Sequence, residues 1–167
     1  YAPVRPRGGI QPLLSIARKV LEYISAQGVA IEPFQLSATT QEAASPDTLV
    51  ATLLASHDPL HGGFGLGQKF PPHSTLLHML YRLCVEGHPE LEKACRLTLD
   101  AMRRGGLHDH LQGGIFRYCV DRQWTIPHFE KMLYDQAMIS MAYIEAYQLT
   151  GREEYKKTVQ EVFEYVL

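Results

Sequence analysis

Apolar residues recur at helical spacing through most of this chain, but in two alternating styles. Pro12 to Gln27 carries Leu13, Leu14, Ile16, Ala17, Val20, Leu21 and Ile24 as one stripe and stops at Gly28, whereas residues 29–45 hold no sustained period and read as a connection. Ser45-Pro46 then opens a helix, a capping side chain followed by proline at the first helical position, with Leu49, Val50, Leu53 and Leu54 as a narrow apolar stripe. Ser74 to Val85 differs in kind. Leu76, Leu77, Met79, Leu80, Tyr81, Leu83 and Cys84 wrap it nearly all round, and Arg82 is its one formal charge. Pro89 to Arg104 returns to an amphipathic pattern with a basic last turn before Gly105, which suits the helix dipole. Phe129 to Leu149 turns inward again, with no charge from Gln136 to Ile144, and Arg152 to Leu167 is striped once more. That last helix carries no stop signal and reads as truncated rather than finished.

Alternation of striped and all-round apolar helices predicts two layers, the charge-poor helices inside and the striped ones outside. The joints alternate as well. Inner-to-outer turns, Glu86-Gly87-His88 and Thr150-Gly151, are short and predict antiparallel hairpins, while outer-to-inner joints, 57–73 and 105–128, are long. Both long loops therefore lead into the N-termini of inner helices at one shared end, the predicted working face.

Composition narrows the function classes. The formal charge of -2, from 16 basic against 18 acidic residues, gives no case for nucleic acid or an anionic membrane. No apolar run is long enough for a membrane span, and no secretory leader pattern is visible. Three cysteines without paired spacing suggest neither a disulfide framework nor a zinc cluster, so a reducing, cytoplasmic setting is expected. Cys84 and Cys95 read as core residues, and Cys119 as the thiol to test for reactivity.

Gly105 to Asp135 concentrates the chemistry. Its carboxylates and imidazoles suit acid–base work on a polyhydroxylated substrate, in which one group gives a proton while another takes one. His108, Asp109, His110, His128 and Glu130 are the catalytic candidates, and the sequence leaves the working pair open. Phe64, Lys69, Arg117, Trp124, Tyr134 and Asp135 are the binding candidates, with Trp124 or Tyr134 as a stacking wall and Lys69 placed to reach an anionic group. Arg117 with Asp121, and Lys131 with Asp135 at i, i+4 on a helix, read as ordinary ion pairs. His108, Asp109, His110, His128 and Glu130 lack a metal-ligand spacing, so no metal is expected. Gly62-Gly63-Phe64-Gly65 and Gly113-Gly114 lack the strand and the lysine of a phosphate loop, so they read as places where loops pass close to helices; no cofactor is expected.

The segments GGFGLGQKFPP and RGGLHDHLQGGIFRYCVDRQWTIPHFEKMLYDQA closely resemble hallmark stretches of the thioredoxin-domain-containing family typified by spermatogenesis-associated protein 20 and its bacterial relatives. That resemblance implies an all-α (α/α)6 toroid, similar to N-acylglucosamine 2-epimerase and six-hairpin glycosidases, preceded by a thioredoxin-like domain. It implies that residues 1–28 are the C-terminal remnant of the thioredoxin-like unit, 29–45 a linker, and 46–167 the opening, truncated part of the toroid. The implied partners are a sugar-like small molecule and the thioredoxin-like domain in cis. The chain departs from the family pattern at Gln112, where glycine is usual, Phe116, where histidine is usual, and Cys119, where serine is usual. A non-catalytic interaction or regulatory platform is the alternative role.

Overall fold

A computed structural model describes residues 45–167. The helix expected over 12–27, the unit over 1–28 and all of the 29–45 connection except Ser45 lie outside the described residues. The first described helix, α1 (Pro46–Ser56), starts as its sequence predicts: the Ser45 hydroxyl accepts the Thr48 backbone N–H at 3.2 Å. Such a cap contributes about 1 kcal/mol. Then follow α2 (His73–Glu86), α3 (Pro89–Arg104), a two-residue antiparallel ladder of β1 (Tyr118–Cys119) and β2 (Pro127–His128), α4 (Leu133–Thr150) and α5 (Glu153–Val166).

Pairing follows the alternation of patterns. Helices α2 and α3 form one hairpin and α4 and α5 another, each turned at a left-handed glycine, Gly87 at φ +66° and Gly151 at φ +67°. The two charge-poor helices α2 and α4 pack on each other, and α1 packs on α3. Arg82, the lone charge of α2, reaches Asp47 of α1 at 2.8 Å and Glu86 at 2.6 Å, so it ties an outer helix to an inner one. Leu76 and Met79 of α2, Leu91, Leu99 and Met102 of α3, Ile139 and Tyr143 of α4, and Tyr155 of α5 are sealed in one core. Tyr143 donates its hydroxyl to the Leu99 carbonyl at 2.9 Å, which satisfies the polar tip of a buried ring. No helix among the described residues is long and apolar enough to cross a membrane.

Two expectations need correction. Helices α2 and α4 are not buried all round: Tyr81 and Val85 of α2 are 65% and 62% exposed, and Met141 of α4 is 51% exposed. Each inner helix is covered by the other and by its hairpin partner, and its remaining flank has no neighbour among the described residues. Also, α4 begins at Leu133, not Phe129, because residues 127–130 spend their backbone groups on the ladder; the Glu130 carbonyl accepts the Arg117 N–H at 2.7 Å.

The long loops 57–72 and 105–132 meet. Asp58 and Lys69, both with fully buried side chains, pair at 3.0 Å, and Arg122 from the second loop reaches Asp58 through Nε at 2.6 Å and through its terminal nitrogen at 2.9 Å. Asp58 also accepts the backbone N–H groups of Leu60 and His61, so both of its oxygens are saturated with donors, Oδ1 by the two amides and Arg122 and Oδ2 by Lys69 and Arg122. Arg122 and Lys69, with those amides, hold the Asp58 carboxyl far below the usual range despite burial. Glycine allows the approach: Gly63 sits at φ +72°, where a Cβ would lie 2.6 Å from the Trp124 ring of the second loop.

Asp58→Ala should cost about 3–5 kcal/mol of unfolding free energy, because it leaves the Lys69 ammonium buried without its counter-charge. Urea denaturation of wild type and variant measures the difference. A loss below about 1 kcal/mol would place the pair with exposed salt bridges of little energetic weight.

Candidate functional site

Three extended segments lie side by side at this loop junction. Lys69 and Cys119 exchange backbone hydrogen bonds, each 2.8 Å, and β1 pairs with β2 so that Tyr118 lies opposite His128. Neighbouring strands run about 4.8 Å apart. The side chains that project from this row inherit that spacing: Phe70 stacks on Tyr118 at 4.7 Å and Tyr118 on His128 at 4.8 Å, with interplanar angles of 22° and 14°. Beside the ladder the Arg117 guanidinium donates to the Glu130 carboxylate at 2.8 Å, and His128 Nδ1 lies 3.9 Å from the same carboxylate. The Arg117 hydrogen bond, with its charge, holds Glu130 below its ordinary range.

At the starts of the inner helices, His73 of α2 brings Nε2 to 3.4 Å from Asp135 Oδ1 of α4, and Tyr134 meets His73 edge-on at 6.4 Å. Asp135 is 3% exposed. Burial pushes its carboxyl up, against the opposing pull of His73 and Arg117. Asp58, Asp109, Asp121 and Glu130 are all held down by their partners, so Asp135 differs from its neighbours in which protonation state the fold favours. A carboxyl disposed to hold a proton, beside an imidazole, is the pairing that acid–base chemistry uses.

The residues singled out by sequence divide into groups. Arg117, His128, Glu130, Tyr134 and Asp135 gather around the starts of the inner helices. His108, Asp109 and His110 instead line a separate cavity of about 420 Å³ against α5, with Glu161 and Lys157 on its far wall. Asp109 works inside the loop: it accepts the N–H groups of Leu111 and Gln112 and pairs with Lys131 at 2.8 Å. Burial opposes its ionisation, but Lys131 and those amides prevail and hold it at about 2. His108 is buried with Nε2 3.4 Å from Glu161, and burial lowers its pKa, so the neutral ring is favoured. His110 sits with Nε2 3.0 Å from the Gly105 carbonyl.

Lys69 and Trp124 are turned inward. Lys69 is spent on Asp58 and on the Gly65 carbonyl at 2.6 Å, so it does not reach an external anion. Trp124 is fully buried and donates its indole N–H to the His61 carbonyl at 2.9 Å, so it offers no stacking face; its left-handed backbone, φ +63°, is offset by that burial. Phe64 is half-buried against the edge of His57. Cys119 is sealed in the ladder and burial pushes its thiol up to about 12, which closes the expected route to reactivity, whereas Cys84, expected in the core, is exposed. The expected ion pairs are also different. Arg117 takes Glu130 because Asp121 is occupied by the N–H groups of Gln123, Thr125 and Ile126. Lys131 takes Asp109 because it precedes α4, so helical i, i+4 geometry with Asp135 never forms. Among the described residues no three His, Cys, Asp or Glu side chains gather in a metal-binding group.

His73, Phe70 and Tyr118 were not singled out by sequence. His73 is the first residue of the charge-poor helix α2, and that position is the available signal: inner-helix N-termini face the shared loop end. The ladder gives a fainter one, since two-residue strands fall below what apolar alternation can reveal.

No family model matches the chain. Over 115 residues it is 41% identical to spermatogenesis-associated protein 20 of Homo sapiens, covering 66% of this chain and 14% of that protein. Over 118 residues it is 36% identical to uncharacterized protein B0495.5 of Caenorhabditis elegans, covering 67% of this chain and 16% of that protein. The chain is thus homologous to spermatogenesis-associated protein 20 and spans about 14% of its length. Among solved structures, a sugar epimerase from a ruminal bacterium superposes with a TM-score of 0.62 at 19% identity, covering 70% of this chain and 33% of that one. The cellobiose 2-epimerase from Spirochaeta thermophila gives 0.63 at 19% identity, covering 94% and 37%. These likenesses show the fold: the described helices are all-α hairpins of an (α/α)6 toroid.

Asp109 yields a pH prediction. Its folded pKa, about 2, lies below the ordinary 3.8, so its contribution to stability is complete above the ordinary value and is lost as pH falls through the folded one. Thermal melts of wild type and Asp109→Asn should differ at neutral pH and converge as pH falls from 3.8 to about 2. A difference that stays constant over that window would contradict this assignment.

Proposed function

We propose that this end of the helical layers is part of a site for a sugar-like substrate, with Asp135 and His73 as its acid–base pair. The observation that carries the reading is the 3.4 Å approach of His73 to a buried carboxyl at the starts of adjacent inner helices. Burial raises the proton affinity of the Asp135 carboxyl, so Asp135 is the group suited to carry a proton to and from a substrate oxygen, with His73 Nε2 3.4 Å away to exchange it. Arg117 and Glu130 border the pair with hydrogen-bonding groups suited to hydroxyls. The fold supports the substrate class by analogy, since the superposed structures are epimerases of sugars.

The longer relatives fit a larger assembly. In this reading residues 46–167 contribute the first hairpins of a toroid, residues 1–28 close a thioredoxin-like unit, and 29–45 join the two. One observation favours a second reading, in which the toroid is a non-catalytic platform for that unit: Phe129 and Leu111 stand 81% and 96% exposed beside the loops, as side chains awaiting a protein surface do.

Asp135→Asn in the full-length protein separates the readings. A buried carboxyl with a raised pKa weakens the fold as pH rises through that value, so removing its charge should leave the melting temperature at neutral pH unchanged or higher. Turnover of sugars should fall by at least ~100-fold, the lower range of general acid–base contributions. A variant that melts several degrees lower, with turnover intact or never present in the wild type, would favour the platform.

A further inference from the structure

The aromatic ladder is not explained by acid–base chemistry. Cross-strand stacking stabilises a sheet, but this ladder crosses only three short segments and leaves its ends open: Phe70 is 49% exposed and the His128 side chain 48%. Tyr118 is held between them, so a ring-shaped ligand has the outer faces of Phe70 and His128 available and no room to enter between the rings. The Arg117–Glu130 pair adjoins the His128 end, with Glu130 3.9 Å from His128 Nδ1.

Charge around the ladder limits what can bind. The four cations of the two loops, Lys69, Arg117, Arg122 and Lys131, are balanced by four carboxylates, Asp58, Asp109, Asp121 and Glu130, and each cation is paired: Lys69 and Arg122 share Asp58, Lys131 takes Asp109, and Arg117 takes Glu130. A phosphate or carboxylate on the ligand would meet no free counter-charge, and near Glu130 it would meet repulsion. Polar groups on the protein nonetheless remain within reach, because the Arg117–Glu130 pair is about two-fifths exposed on both sides. That combination of a flat apolar face, hydrogen-bonding groups at its edge and no net positive field matches a ring with C–H faces and neutral hydroxyls.

We propose that the Phe70–Tyr118–His128 ladder is a stacking subsite for the apolar face of an uncharged pyranose, with Arg117 and Glu130 hydrogen-bonding its hydroxyls. The inference rests on the sugar-site reading above and adds where the ring lies and which sugars are refused. His128 is then a binding residue rather than a proton carrier, and Tyr118 a positioning residue that sets its plane.

Isothermal titration of the full-length protein tests it, using the Asp135→Asn background to prevent turnover, with cellobiose and glucose as neutral probes and glucose 6-phosphate as the charged one. His128→Ala should weaken neutral-sugar binding by roughly 10-fold, the scale of losing one good aromatic contact. His128→Phe, which keeps the flat face without the titrating nitrogen, should bind within about threefold of the parent, a small change on the same scale. The phosphorylated sugar should bind more weakly than the neutral ones. Unchanged binding by His128→Ala, or tighter binding of glucose 6-phosphate, would overturn the subsite while leaving the Asp135–His73 reading intact. Absence of binding and turnover of every sugar by the wild type would overturn both. Thermal melts of His128→Ala and His128→Phe that match the parent control that folding is maintained.

Discussion

The buried meeting of Asp58 with Lys69 and Arg122 is the constraint on which the site depends. Sixty-four positions separate Asp58 from Arg122, and neither loop has helix or long strand of its own to hold it. One carboxylate accepts from both cations and from two backbone amides, so a burial that would otherwise be costly becomes a fixed joint. With that joint in place, the backbone of Lys69 can pair with Cys119, and the row of Phe70, Tyr118 and His128 follows from strand spacing alone. The same joint brings the segment that leads into His73 alongside the segment that leads into Asp135.

Charge is distributed here with a clear division of labour. Asp58, Asp109 and Asp121 are surrounded by donors and stay ionised, which suits groups that hold loops in place. Asp135 has burial without that set of donors: the His73 ring lies 3.4 Å away and Arg117 acts on it only through its charge. Groups of the same type therefore take different roles because their surroundings favour different protonation states. In the cavity beside α5, Asp109 follows the structural pattern through Lys131 and Glu154 through Arg152, and Glu161 lies 3.6 Å from Lys157.

Periodicity made the layer order legible. Each helix from α1 to α5 falls within a few residues of its sequence-based span, and the short glycine turns give the hairpins their sense. The shared loop end was legible too, since it follows from loop lengths. Individual roles were not. A sequence displays that Lys69, Trp124 and Asp109 carry chemistry, but whether such groups face a ligand or one another depends on contacts across tens of residues. Arg117 choosing Glu130 over Asp121 shows the limit, because Asp121 was already occupied by backbone amides that no charge pattern reveals. His73 escaped notice for the opposite reason: a lone histidine after two prolines gives no motif, and its meaning comes from Asp135, 62 residues later in the chain.

The most direct test of the account is a crystal structure of the full-length protein soaked with cellobiose. Density for a sugar ring should lie parallel to the His128 or Phe70 face, with a hydroxyl within hydrogen-bonding distance of Asp135 or His73 and the Asp58–Lys69–Arg122 joint unchanged. A sugar bound in the cavity between His108 and Glu161, or anywhere on the outer helices with the ladder empty, would contradict it.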